Sequence, residues 1–123
     1  MRKKNQNINS DALVSAIVEI MQSQKGRNIV SINLREIGSS VTDYFVICHA
    51  TSRTQVENLG DKIIDKISET FGEKPYHYEG FENAEWILID YVNVVAHIFI
   101  EDRRNYYQIE ELWADAPAEF HDQ

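Results

Sequence analysis

The sequence has little cysteine, glycine or proline and no long apolar run. Its one cysteine, Cys48, excludes an internal disulfide framework and suits a reducing cytoplasm. Two prolines and five scattered glycines leave no phosphate-cradling glycine signature. No segment reaches the roughly 18 apolar residues that a membrane helix needs, and polar residues follow the basic start at Met1–Lys4. We therefore expect neither a membrane span nor a secretory signal.

Cationic residues are scarcer than acidic ones. Twelve Lys and Arg stand against 20 Asp and Glu, a formal net charge of −8. The last 23 residues hold seven acids against two arginines, a net of −5. A protein that neutralises phosphates needs a basic patch, and here the cations are scattered, so we expect little direct nucleic-acid binding. If this protein binds a ribonucleoprotein, we expect it to contact a basic protein component there. The alternative is that the acidity only confers solubility.

The hydrophobic pattern predicts seven elements in the order α-β-β-α-β-β-α. Ser10 is the expected cap of the first helix, and Thr51 or Ser52 of the second. Strands are predicted at 29–34, 44–49, 86–91 and 94–100, a loop at 75–83, and a last helix at about 105–113. These elements predict an α/β (α+β) fold, a mixed β-sheet with helices packed on it. We expect three regions: a flexible N-terminus at 1–9, one domain at 10–117 and an acidic C-terminal tail at 118–123.

The last two predicted strands form a hairpin with two apolar faces if Val92 and Asn93 make a two-residue turn. One face is purely apolar core: Ile87, Ile89, Tyr91, Val94, Ala96 and Ile98. The other mixes large apolar groups with an acid and an imidazole: Trp86, Leu88, Asp90, Val95, His97 and Phe99. Either helices cover this second face, or it lies partly open to a protein partner, with Trp86 and Phe99 as anchors. A β-branched Val92 disfavours positive φ, so a bulged turn with shifted register is the alternative.

Patterns of catalytic or metal-binding residues are sparse. The four histidines, at 49, 77, 97 and 121, lack ligand spacing, so we expect no metal and no cofactor. Cys48 is expected to be a buried structural thiol. Gly38-Ser39 with Asp43 resembles the metal-binding opening of nucleotidyltransferases, whose chemistry needs a pair of carboxylates. Phe45 stands at the second position, so a capping aspartate is the favoured interpretation of Asp43.

Several segments together resemble the ribosomal silencing factor family, also called Iojap or RsfS. They are TDYFVIC at 42–48, SRTQV at 52–56, EG at 79–80, WILIDY at 86–91, VAHIF at 95–99 and RNYYQIEELW at 104–113. The family tends to have Gly-Asp where this chain has Val92-Asn93, and often a β-branched residue at the position of Ala96. The resemblance covers nearly the whole chain.

The resemblance implies a fold distantly similar to nucleotidyltransferases, without their activity. It implies binding to the large ribosomal subunit through the ribosomal protein numbered fourteen (protein L-fourteen), a steric block of small-subunit joining, and homodimers of the free protein. The expected partner-binding residues are those of the second hairpin face, flanked by two tyrosines: Trp86, Leu88, Asp90, Val95, His97, Phe99, Tyr106 and Tyr107. Arg103 and Arg104 are expected to be solvated charges, and contact with acidic groups or RNA is the alternative. The alternative function is a degenerate or active nucleotidyltransferase-like enzyme.

Overall fold

The structure is a computed structural model that describes residues 9–38 and 41–121. The expectations for residues 1–8, for Ser39 of the nucleotidyltransferase-like pattern and for the last two residues of the predicted tail lie outside the described residues. The helices are α1 (Ser10–Ser23), α2 (Arg53–Phe71), α3 (Glu101–Tyr107) and α4 (Ile109–Leu112), with a 3₁₀ turn at Leu34–Ile37. The strands are β1 (Arg27–Asn33), β2 (Tyr44–Ala50), β3 (His77–Glu79), β4 (Trp86–Asp90), β5 (Val94–Ile100) and β6 (Ala118–His121).

The six strands form one mixed sheet in the order β3-β4-β5-β2-β1-β6. The central neighbours β2 and β5 are parallel, and every other neighbouring pair is antiparallel. The predicted mixed sheet with packed helices is therefore confirmed. Helix α2 leads from β2 to β3, and β4 and β5 lie between those two strands in the sheet, so this helix does not join sheet neighbours.

Helices α1 and α2 cover one face of the sheet, because each carries a single apolar stripe. The predicted cap of α2 is confirmed: the Ser52 hydroxyl accepts from the Gln55 amide, and Gly72 ends the helix at φ 71°. The predicted cap of α1 is wrong by one residue. Asn9 accepts the amides of Asp11 and Ala12, and this frees the Ser10 hydroxyl for a tertiary hydrogen bond.

The second face of the sheet is covered in part by the chain that follows α3. Ile109, Trp113 and Ala116 fold back and pack on residues of β1, β2 and β5. The predicted last helix is broken, because Gln108 adopts φ 47° and separates α3 from α4. Strand β6 then pairs antiparallel with β1 and occupies positions where the composition indicates only an acidic tail. The face is thus neither fully open nor fully covered.

The β4–β5 hairpin has the predicted two-residue turn and register. Trp86 pairs with Phe99 and Asp90 with Val95, so the bulged alternative is wrong. The Asn93 amide donates to the Tyr91 carbonyl at 2.9 Å, which closes a γ-turn around Val92 at φ 75°. Two further contacts of the same residue hold this unfavourable conformation. The Asp90 carboxylate accepts the Val92 amide at 2.7 Å, and the Thr42 hydroxyl donates to the Val92 carbonyl at 2.8 Å.

Candidate protein-binding surface

The second face of the hairpin carries a cluster of aromatic rings around Trp86. The indole ring stacks on Phe99 with centroids 4.9 Å apart, and Tyr107 of α3 lies at the same distance from it. The indole Nε1 donates to Nδ1 of His97 at 3.1 Å. Adjacent strands and the following helix therefore fix the orientation of Trp86 from several sides.

The predicted binding residues differ widely in exposure. Phe99, Val95, His97 and Asp90 are buried, with at most 9% of their surface exposed. Trp86 and Leu88 are half-buried, and Tyr106 and Tyr107 expose 74% and 46%. The structure thus brings all eight predicted residues to one region but leaves four of them accessible. We call these four the aromatic surface: Trp86, Leu88, Tyr106 and Tyr107.

His97 lies beneath the aromatic surface as a neutral imidazole. Its Nδ1 accepts from Trp86, and the edge of its ring meets Phe45 at 4.6 Å between centroids. Burial lowers the pKa of His97 to about 3, because the charged form loses its hydration. Its Nε2 has no hydrogen-bond partner among the described residues. His97 therefore supports Trp86 and is not placed to exchange protons with a ligand at neutral pH.

Strand β3, which the sequence analysis missed, adds one exposed carboxylate, Glu79, beside the aromatic surface. Glu79 lies opposite Leu88 in the β3–β4 pair, and its carboxylate is 3.0 Å from His77. Its side chain is 64% exposed. A three-residue strand with every residue exposed lacks the apolar alternation that predicts strands. The family resemblance had included the pair Glu79-Gly80, and this pair was the one sequence signal that marked the segment of β3.

Gly80 sets the position of Trp86 from below. A Cβ at Gly80 would lie 2.0 Å from the Trp86 carbonyl oxygen, and the residue adopts φ +94°. Only glycine combines that close approach with that backbone conformation. A second glycine makes room for the same loop. A Cβ at Gly60 would lie 2.8 Å from the ring of Phe81, so the absence of a side chain allows the ring to pack against α2. Gly60, a weak point of α2 by helix propensity, is thus a packing position.

Arg104 is buried, contrary to its predicted role as a solvated charge. Its guanidinium donates to the Glu110 carboxylate at 2.9 and 3.2 Å, to the Arg27 carbonyl at 3.3 Å and to His49 Nδ1 at 2.9 Å. Only 8% of the side chain is exposed. Burial, and next the Arg104 charge, lower the pKa of His49. These contacts tie α3 and α4 to the ends of β1 and β2.

The positions that carried catalytic hypotheses are occupied by structural contacts. Asp43 is buried and accepts the Ser10 hydroxyl at 2.7 Å. Cys48 is fully buried, as predicted, and burial raises its pKa to about 12. Within residues 9–38 and 41–121, no three His, Cys, Asp or Glu side chains come together in a way that could hold a metal ion. In the same residues, no helix is long and apolar enough to cross a membrane.

The fold and the surface define a class: a small α+β domain in which strand β4 and helix α3 together present accessible aromatic side chains. Residues 7–123 match the family described as "Ribosomal silencing factor during starvation" (RsfS). The chain is 36% identical over 111 residues to the ribosomal silencing factor of Halalkalibacterium halodurans, covering 90% of this chain and 93% of that one. It is also 36% identical to the Bacillus subtilis ribosomal silencing factor, covering 89% and 92%. A crystal structure of a Chromobacterium violaceum protein superposes with a TM-score of 0.82 at 26% identity, covering 94% and 95%. This chain belongs to the ribosomal silencing factor family.

Proposed function

We propose that the protein binds the large ribosomal subunit through protein L-fourteen and sterically blocks association with the small subunit. It thereby represses translation in the cytoplasm without catalysing a reaction. Family membership supports a ribosomal role, and one structural observation carries the docking assignment. That observation is the accessible side of the aromatic surface, where Trp86 is held rigidly by Phe99, His97 and Tyr107.

A rigid, half-buried tryptophan suits a binding anchor. Its stacking on Phe99 and hydrogen bond to His97 restrict its rotamers before a partner arrives, so binding costs little side-chain entropy. Tryptophan and tyrosine dominate the energetics of many protein interfaces. Tyr106 and Tyr107 place two further rings, 5.1 Å apart, beside the same indole. Leu88 adds an apolar contact next to them on the neighbouring strand.

Charge favours a basic partner. The chain carries a net charge of −8, and the exposed carboxylate of Glu79 lies directly across from Leu88. A net negative charge, with the Glu79 carboxylate beside the apolar centre, attracts a cationic protein surface and repels bare RNA. This arrangement supports a ribosomal protein as the contact rather than ribosomal RNA.

Co-sedimentation with purified large and small subunits tests the proposal. We expect the wild-type protein to pellet with large subunits only, and folded Trp86→Ala to bind roughly 30-fold more weakly. Tyr78→Ala is the matched control, because Tyr78 is 56% exposed and pairs with Ile89, whose side chain faces the α2 side of the sheet. Wild-type protein that ignores large subunits, or equal losses in both variants, would overturn the docking assignment.

Cross-linking identifies the partner within the subunit. A photoreactive residue in place of Tyr106, which is 74% exposed, should label protein L-fourteen. Labelling of another ribosomal protein would reject protein L-fourteen as the partner but would still support the aromatic surface as the docking site. The homodimer that the family resemblance implies stays a prediction, and sedimentation of the free protein over a range of concentrations tests it.

A further inference from the structure

A cavity of about 840 Å³ lies beside the buried Arg104, away from the contacts that hold the aromatic surface. Its walls come from the start of β1, the end of β2, the first turns of α2, helix α3 and strand β6. This volume falls within the range of roughly 300–1,000 Å³ that is usual for small-molecule sites. None of the residues that the proposed function uses lines it, so the cavity needs a separate explanation.

The cavity concentrates positive charge in an acidic protein. Among the described residues, Lys25, Arg27 and Arg104 line it, and Glu110 is the one acidic residue that does so. Lys25 and Arg27 are exposed, and neither forms an ion pair with a carboxylate within residues 9–38 and 41–121. Among the lining residues that the structure describes, three cations stand against one carboxylate in a chain whose net charge is −8, and the Glu101 carboxylate lies 3.7 Å from Nε2 of the lining His49. Such a concave cationic site focuses its field on an anion.

The back of the cavity is preorganised. Arg104 is 8% exposed and is held by Glu110, by His49 and by the Arg27 carbonyl, so its guanidinium stays in place whether or not a ligand is present. The fixed charge at the back and the two rim cations, which pair with no carboxylate of the described residues, suit a ligand with several anionic groups, such as a chain of phosphates.

An aromatic ring and amide groups complete the lining. Phe120 of β6 lines the cavity with 74% of its surface exposed, so its ring is accessible to a ligand in the cavity. Asn28 and Asn105 are exposed and carry both hydrogen-bond donors and acceptors. A planar heterocycle stacks on such a ring, and its edge finds partners in such amides.

We propose that this cavity binds a nucleoside triphosphate, with its phosphates on Lys25 and Arg27 in front of Arg104 and its base on Phe120. The site does not depend on the proposed docking to the ribosome. It also differs from the nucleotidyltransferase-like position, because Asp43 precedes β2 whereas His49 lies near the other end of that strand. We expect binding without a divalent metal, because Lys25 and Arg27 offset part of the phosphate charge.

Isothermal titration calorimetry on the full chain, in buffer with a metal chelator, tests this site with ATP, GTP and inorganic triphosphate. We expect all three to bind the wild-type protein. The double variant Lys25→Gln/Arg27→Gln should weaken all three by about tenfold, since both removed charges face the phosphates. Phe120→Ala should weaken the two nucleotides by about tenfold and leave triphosphate unchanged, since only the nucleotides lose base stacking. Arg104 is left intact because its contacts hold the fold together.

The matched control is Lys62→Gln/Lys66→Gln, which removes the same charge from a separate groove between α1 and α2. This variant should bind all three ligands as the wild type does. The absence of binding heat with every ligand overturns the proposal, as does an equal loss in the control, which would indicate nonspecific attraction. If Phe120→Ala leaves nucleotide affinity unchanged, the assignment of a nucleoside is wrong and the cavity is a site for free polyphosphate.

Discussion

The indole Nε1 of Trp86 donates a hydrogen bond to Nδ1 of His97, 3.1 Å away across the β4–β5 pair. An indole can only donate, so this contact requires an unprotonated Nδ1 and places the imidazole proton on Nε2. The bond joins an accessible residue of the aromatic surface to a buried residue beneath it. The orientation of the proposed binding anchor therefore depends on a histidine that stays neutral.

The buried His97 predicts a specific loss of stability in acid. Its folded pKa of about 3 lies below the ordinary value of 6.5, so protonation favours the unfolded chain. The contribution of the neutral His97 to the free energy of unfolding is complete above pH 6.5 and is lost as the pH falls toward 3. Between pH 7 and pH 5 the free energy of unfolding should fall by about 2 kcal/mol more in the wild type than in His97→Asn. Urea unfolding at the two pH values measures this, and equal losses in both proteins would contradict a buried neutral histidine.

Gly80 predicts a local steric failure beneath Trp86. In Gly80→Ala the new methyl group would meet the Trp86 carbonyl at 2.0 Å, so the backbone of β3 or β4 must move. We expect a loss of about 3 kcal/mol in the free energy of unfolding. Gly72→Ala is the control, since Gly72 has a similar positive φ of 71° but open space around it, and it should cost about 1 kcal/mol. Similar costs in thermal or urea unfolding would show that backbone conformation alone matters.

We expect the buried position of Val92 to tolerate replacement by glycine with little change in the free energy of unfolding. Replacement by glycine removes an apolar side chain but relieves a β-branched residue at φ 75°, and these effects, each about 2 kcal/mol, oppose one another. Val92→Gly should therefore change the free energy of unfolding by less than about 1 kcal/mol. Val94→Gly, two residues on in strand β5 and fully buried, should cost about 3 kcal/mol. Parallel urea titrations compare them, and a large loss in Val92→Gly would show that the turn is not strained.

We expect the Glu110 carboxylate to stabilise the packing of α3 and α4 on the sheet, because it pairs with the buried Arg104. Glu110→Gln removes the charge facing a guanidinium that is 8% exposed, and this should cost about 2 kcal/mol. Glu69→Gln breaks the exposed pair with Lys66 and should cost less than about 0.5 kcal/mol. Thermal unfolding of both variants checks the difference. If Glu110→Gln is as mild as its control, Arg104 is compensated by its other contacts.

Alternation of residue types predicted the hairpin correctly because its two strands follow one another almost directly and share one purely apolar face. The sequence could not show that Ile109 to Ala116 would fold back over Val95 and Phe99, since that covering depends on tertiary packing. Charged residues are rarely buried, so the sequence favoured a solvated Arg104. It could not show the hydrogen bond between Arg104 and His49, because the two residues are 55 positions apart in the chain. Strand β6 escaped prediction because four mostly exposed residues carry no apolar period. The candidate surface was therefore located by sequence, but its accessible part was defined only by the structure.

The most direct test of the central claim is a subunit-joining assay with purified large and small subunits, followed by light scattering. Wild-type protein should lower the fraction of joined subunits as its concentration rises. Folded Trp86→Ala, checked by circular dichroism, should need roughly 30-fold more protein for the same effect, whereas Tyr78→Ala should match the wild type. If the wild-type protein leaves joining unchanged, or if Trp86→Ala inhibits equally well, the proposed steric block through the aromatic surface is wrong.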